Sequence, residues 1–284
     1  MLAHAAGPYP FSALRLAALA GCLAFPTSVV AHGDLHERID ALTQSIQANP
    51  TNAQFFLDRG ELRRLHAEPE LAIGDFERAL GLNPSLDAAQ LGMGEAWLDV
   101  HQPGKARPWL DVFLAKHPQH AEALLARARV LAALGERRAA AADYTGALAG
   151  VNNPLPEIYL ARADVLVQEG LVDEAVAGLD EGTARLGRAA PLELRAVDLE
   201  LGRKRYVAAL IRLDRQIERV PRKEFLLSRR GAILEQAGRM EEARAAYSAA
   251  ARALQTLPPE RRATRAVSEL AQRIQASIAR LTAP

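Results

Sequence analysis

The side chains best suited to chemistry are few and scattered. There are seven histidines, His4, His32, His36, His66, His101, His117 and His120, and one cysteine, Cys22. Nucleophile-elbow, phosphate-loop, HExxH and paired CxxC patterns are all absent, and His120 has only the spread of Glu and Arg that any helix surface carries. The expectation is a protein that is not an enzyme. One metal site can be drawn. A chain cleaved after Ala31 would begin His32-Gly33-Asp34-Leu35-His36, with a free amine and two imidazoles within about one helical turn, a donor set that suits Cu(II). Asp34 as an N-cap, with Glu37 completing a capping box, explains the same residues without a metal. No other cofactor is expected.

That cleavage is suggested by the first 31 residues, which contain no acidic residue and one strong cation, Arg15, followed by the apolar run Leu16 to Phe25, then Pro26 and the small-residue stretch to Ala31. This is the pattern of a secretory signal peptide, expected over residues 1–31. The run is too short to span a bilayer, which takes about 20 residues, and no later segment is uninterrupted enough to do so. Leu19-Ala20-Gly21-Cys22 resembles the bacterial lipobox, which would make Cys22 a lipid anchor. The apolar run continues past it through Leu23, Ala24 and Phe25, so cleavage after Ala31 is the preferred reading. The expected location is the periplasm or the medium, with an outer-membrane lipoprotein as the alternative.

Bulk composition limits the partners. Of 284 residues, 49% are hydrophobic and 24% charged, enough for a folded core, while aromatics are only 5%, which favours helices packed through small side chains. Thirty-five Lys and Arg against 34 Asp and Glu leave a formal charge of +1. Such a chain has no global field to draw nucleic acid, and no nucleic-acid partner is expected.

What must position any functional group is a repeat. Ala72, Ala106, Ala140, Ala175, Ala209 and Ala243 recur at 34 or 35 residues, each followed four places later by a large side chain: Phe76, Leu110, Tyr144, Leu179, Leu213 and Tyr247. Small residues recur in step at Gly60, Gly94, Ala128, Ala163, Ala196 and Gly231, and Pro50, Pro84 and Pro118 close units at the same interval. Four places is one helical turn.

At these residues the chain resembles the tetratricopeptide-repeat family, whose 34-residue unit is a helical hairpin with the pattern W-x2-L-G-x2-Y, then A-x3-F, then P. The resemblance implies an all-α solenoid of about six helix-turn-helix repeats over residues 51–257, a half-repeat helix over 32–50 and a capping helix over 258–284. Turn glycines Gly135, Gly170 and Gly238 fit the link between the two helices of a unit. The fifth unit has Gly202 seven residues before Ala209, where five is the rule, and a longer turn around Lys204 is expected.

In this family the first helix of each unit lines the inner groove. The resemblance therefore implies a peptide-binding face made of Leu57, Glu61 and Arg64, Leu91, Glu95 and Leu98, Leu125, Arg129 and Ala132, Leu160, Asp164 and Val167. Glu193, Val197 and Glu200 follow, then Ser228, Ala232 and Glu235. Six acids against two bases suit a protein or peptide segment carrying Lys or Arg. Arginines at Arg59, Arg127, Arg162, Arg195 and Arg230 precede the small positions. Asp75 and Asp143 on the facing helix are their expected partners, as ion pairs internal to the repeat.

Overall fold

The computed structural model describes residues 27–187 and 189–282, with side chains from residue 34, Arg188 excepted. Cys22 and the body of the expected leader lie outside these residues, as does the His32 side chain. Among the described residues there are fifteen helices and no strand.

Helix α1 (Thr27–Ala48) begins five residues before the expected start of the half-repeat. Asp34 consequently lies within the helix and does not cap it. Six hairpins follow: α2 (Ala53–Leu65) with α3 (Pro69–Leu82), α4 (Asp87–Asp99) with α5 (Pro103–Lys116), and α6 (Ala121–Ala133) with α7 (Arg137–Gly150). Then come α8 (Pro156–Gln168) with α9 (Val172–Leu186), α10 (Ala190–Gly202) with α11 (Tyr206–Arg219), and α12 (Glu224–Gln236) with α13 (Met240–Gln255). Each helix packs on the next in chain order, as a solenoid requires.

The repeat exists because one large side chain fills the space that small ones leave. All six repeat alanines are fully buried, and so are Phe76, Leu110, Leu179 and Leu213. A Cβ placed on Gly60 would lie 2.7 Å from the Phe76 ring, and one on Gly92 of the next repeat 2.6 Å from it. Phe76 is thus held between its own hairpin and its neighbour, which closes the hairpin and stacks it at once.

Each hairpin turn contains one residue of positive φ: Ala67 (63°), His101 (58°), Gly135 (79°), Gly170 (79°), Lys204 (56°) and Gly238 (75°). Lys204 lies five residues before Ala209, as Gly135 lies five before Ala140, so the fifth turn has the ordinary length and the expected extension is absent. The extra residue of the 35-residue interval lies earlier. Residues 151–155 join α7 to α8, where residues 117–120 suffice between α5 and α6. Twelve places before Ala209 stands Val197, fully buried, and it takes the place held by Gly60 and Ala128 in their repeats. The first helix of the fifth repeat is therefore turned by one residue, about 100°, from the phase that Ala196 suggested.

At the C-terminal end the chain from Pro259 forms a short α14 (Pro259–Arg262) before the capping helix α15 (Arg265–Thr282). Val267, Leu270 and Ile274 are buried there, and α15 packs on α13.

Candidate functional site: the inner wall of the solenoid

Successive first helices touch one another directly, α2 with α4, α4 with α6 and α8 with α10, so they form the inner wall. The wall divides the predicted contacts into three groups. Glu61 and Asp164 are exposed on it, while Glu95, Arg129, Leu91 and Leu160 are half-buried and present an edge. Leu57 and Leu125, 3% and 7% exposed, belong to the core and offer a ligand almost no surface. Their side chains fill the seam between hairpins.

Glu193 and Glu200 leave the groove altogether. With Val197 in the small position, Glu193 aligns with Phe56, Leu124 and Tyr159, and Glu200 with Leu131 and Leu166, all facing the second helices. Both acids are buried, at 6% and 5% exposure. Glu193 accepts hydrogen bonds from Gln216 Nε2 and from Arg219 Nη1, the latter at 2.8 Å. Glu200 has only distant cations, Arg205 at 3.7 Å and Arg212 at 3.9 Å, and its Oε2 is buried without a hydrogen bond. The groove residues of this repeat are Leu194, Asp198 and Leu201.

The corrected phase exposes a ladder that the sequence reading missed. Arg195 reaches back to Asp164 of the preceding repeat at 2.7 Å, and Arg229, 34 residues on, makes the same contact with Asp198. Arg280 of the cap pairs with Glu235 at 2.7 Å. Arg195 therefore does not belong with the other repeat arginines. The signal was present in sequence as two pairs at the same 34-residue interval, Arg195 with Arg229 and Asp164 with Asp198.

Charge along the wall is uneven. Toward its C-terminal end, carboxylates are matched one for one by arginines. Around Arg64 the balance is reversed. Arg64 pairs with Glu95 at 2.8 Å and Asp99 at 3.2 Å, while Glu61 and Glu122 lie close enough to act on Glu95 as well. Burial pushes the Glu95 carboxyl above the usual carboxylate range; Arg64 opposes this, and Glu122, Asp99 and Glu61 add to it. Glu61 is raised first by the crowding of neighbouring helices and then by Asp58, again against Arg64. Glu61, Glu95 and Asp99 act on the one guanidinium of Arg64, and Glu122 acts on Glu95, which leaves a negative region on the wall.

Of the remaining repeat arginines, Arg59 and Arg127 meet their expected partners, while Arg162 has Gly178 where the aspartate would stand. Arg59 forks Asp75 with Nε at 2.9 Å and Nη2 at 2.6 Å, and Arg127 forks Asp143 at 2.6 and 2.9 Å. Each also donates to the preceding repeat, Arg59 to Thr43 and Arg127 to Asp111, both at 3.0 Å. At the other end of the chain, His36 lies 3.7 Å from Asp40 and 6.2 Å, ring to ring, from His66. Among the described residues no group of three or more His, Cys, Asp or Glu could hold a metal ion.

Stacked helical hairpins whose first helices share one wall define an α-solenoid of the kind that presents a binding surface. A family model described as tetratricopeptide repeat matches residues 125–193, the third and fourth hairpins. Residues 125–193 therefore carry the tetratricopeptide repeat, and the six hairpins share its fold. A search of curated proteins gives no significant match. Among solved structures, a tetratricopeptide repeat protein from Parabacteroides merdae is similar at 19% identity and a TM-score of 0.53, over 88% of this chain and 95% of that one. YrrB, described as a TPR protein with an unusual peptide-binding site, is 22% identical with a TM-score of 0.55, over 66% of this chain and 97% of that one. MamA is 20% identical with a TM-score of 0.51, over 58% and 95%. At these identities the likeness is one of fold.

Proposed function

We propose that this protein is a non-catalytic scaffold of the bacterial cell envelope that holds a peptide or protein segment on its inner wall, anchored by Lys or Arg side chains at the Glu61–Glu95–Asp99–Glu122 region. The observation that carries the reading is the excess of carboxylates around Arg64, two of which are held above their ordinary pKa by their surroundings. A cationic side chain entering there offsets the burial and mutual repulsion of these acids, and the half-buried Leu91 beside it supplies apolar contact. YrrB, which has a similar fold, is described as having a peptide-binding site, and this supports a peptide as the ligand. Asp164 contributes less, since Arg195 already occupies it.

The test is a titration with a fluorescent Lys-rich peptide against wild type and against Glu61→Lys with Glu95→Lys. Saturable binding that the double variant abolishes is expected, with an acidic peptide of equal length showing none. Equal binding by wild type and the double variant would sink the assignment. Placement in the envelope rests on the leader pattern of residues 1–31. Intact mass of the exported protein distinguishes a chain beginning at His32 from one acylated at Cys22; a cytoplasmic, uncleaved chain would overturn the placement.

Among the described residues no helix is long and apolar enough to cross a membrane.

A further inference from the structure

The fourth repeat breaks the arginine rule in a way that opens a second site. Arg162 stands where Arg59 and Arg127 stand in the first and third repeats, and its guanidinium faces the second helix of its own hairpin in the same way. Sixteen residues on, where Asp75 and Asp143 supply the forked carboxylate, this repeat has Gly178. Arg162 is 5% exposed, deeper than Arg59 or Arg127, and it lacks their forked carboxylate at the sixteenth position. Its Nη2 donates instead to the Gly178 carbonyl at 3.2 Å and to Glu181 at 2.7 Å, and Nη1 reaches Thr145 only at 3.4 Å. The Glu181 side chain is 53% exposed and able to turn into water.

The missing side chain also leaves space. A cavity of about 680 Å³ lies between second helices α7 and α9, away from the inner wall, bounded among others by Arg138, Thr145, Arg162, Gly178 and the two acids Glu174 and Glu181. That volume is within the range of small-ligand sites, about 300–1,000 Å³. A Cβ on Gly178 would lie 2.8 Å from Arg162 Nη2, so the glycine both removes the carboxylate and clears the approach to the guanidinium.

We propose that this cavity binds a carboxylate from outside the chain, seated on Arg162 in the place that Asp75 and Asp143 take in their own repeats. A buried guanidinium with a forked geometry is matched by a planar carboxylate, which accepts two parallel hydrogen bonds. Arg138 is already paired with Glu169 at 3.2 Å, so recognition rests on Arg162, and the exposed Glu181 must swing aside as the external carboxylate takes its place. The small side chains of α7 and α9 admit the rest of the ligand. The carboxylate belongs either to a small organic acid or to an acidic side chain of a bound polypeptide.

The whole protein is titrated with glutarate, as a free carboxylate, and with N-acetyl-Gly-Glu-Gly-amide, whose one acid is a side chain, following heat and the Arg162 Nε–Hε resonance. Saturation by one of the two probes is expected, with a dissociation constant on the order of millimolar or tighter, and the tighter probe identifies the source. Gly178→Asp restores the internal anion and is expected to weaken binding about tenfold or more, with the helical circular dichroism unchanged. Arg162→Gln provides the same loss by removing the cation. The proposal is overturned if neither probe saturates, if both variants bind like wild type, or if inorganic phosphate binds as tightly as the better carboxylate.

Discussion

Arg127 and Asp143, sixteen residues apart on the two helices of one hairpin, meet as a forked ion pair at 2.6 and 2.9 Å, while Arg127 Nη1 holds Asp111 of the preceding repeat at 3.0 Å. One side chain thereby couples closure of a hairpin to its stacking. Arg59, Asp75 and Thr43 form the same arrangement two repeats earlier.

Asp143 is 8% exposed, so an Asp143→Asn change leaves a guanidinium poorly matched in a dry site. A loss of about 1.5–3 kcal/mol is expected, the range for hydrogen bonds to charged groups. The urea midpoint measures it. Asp143→Ala with Arg127→Ala together should cost less than the sum of the single changes, because neither charge is then stranded.

Two glycine substitutions should act in opposite directions. Gly92→Ala drives a methyl into the Phe76 ring, with an expected loss of about 1–3 kcal/mol that outweighs the gain in helix propensity. Gly74→Ala, in the middle of α3 with nothing within 4 Å of the new Cβ, should stabilise by about 0.5–1 kcal/mol. Thermal melts of the two variants beside wild type decide the matter, and a stabilised Gly92→Ala would show that the Phe76 seam is loose.

Glu200 occupies a position where two other repeats bury leucine, Leu131 and Leu166, and its Oε2 lacks a partner. Arg205 and Arg212 retain Asp173 and Asp180 as closer partners. Glu200→Leu is therefore expected to stabilise the fifth hairpin, by about 1–4 kcal/mol, the range seen when buried ion pairs are replaced by packed apolar groups. A lowered melting temperature would mean that the long contacts to Arg205 and Arg212 matter more than the unpaired oxygen.

Acid should weaken binding on the inner wall without weakening the fold through the same residues. Glu61 and Glu95 both have folded pKa values raised above 4.5, so they lose charge as pH falls through those raised values, before an ordinary glutamate does. Affinity for a Lys-rich peptide should fall across that window. Their contribution to stability has the other sign: the folded state binds these protons more tightly than the unfolded chain, so it rises as pH falls toward 4.5. Peptide anisotropy and melting temperature, measured on the same samples, separate the two effects. Glu61→Gln with Glu95→Gln should flatten the pH dependence of whatever binding remains.

The period of 34, the six hairpins and the pairing of Arg59 with Asp75 and Arg127 with Asp143 were legible in the chain, because each depends on spacing along a helix and on one small or large residue per turn. Three features were not. Ala196 has the expected size but stands thirteen places before Ala209, while Val197 has the spacing of twelve and is fully buried, so the packing follows spacing over size. That selection turns Glu193 and Glu200 into the core and puts Asp198 on the wall. Leu57 and Leu125 were read as groove contacts because they share a helix face with Glu61 and Arg129, yet the adjoining hairpin covers them. A residue's face is written in the sequence, but how far the neighbouring repeat closes over it is not.

Charge shows the same division. The sequence by itself determined the number and order of acids and bases on the first helices, and with them the mildly acidic inner surface. The tertiary structure decided which of those charges remain available, since Arg195 and Arg229 neutralise Asp164 and Asp198 across repeat boundaries while Glu61, Glu95 and Asp99 share Arg64. The physical reason is distance. Groups about 30 residues apart become neighbours only when hairpins stack, and an ion pair forms within a few ångströms or contributes little.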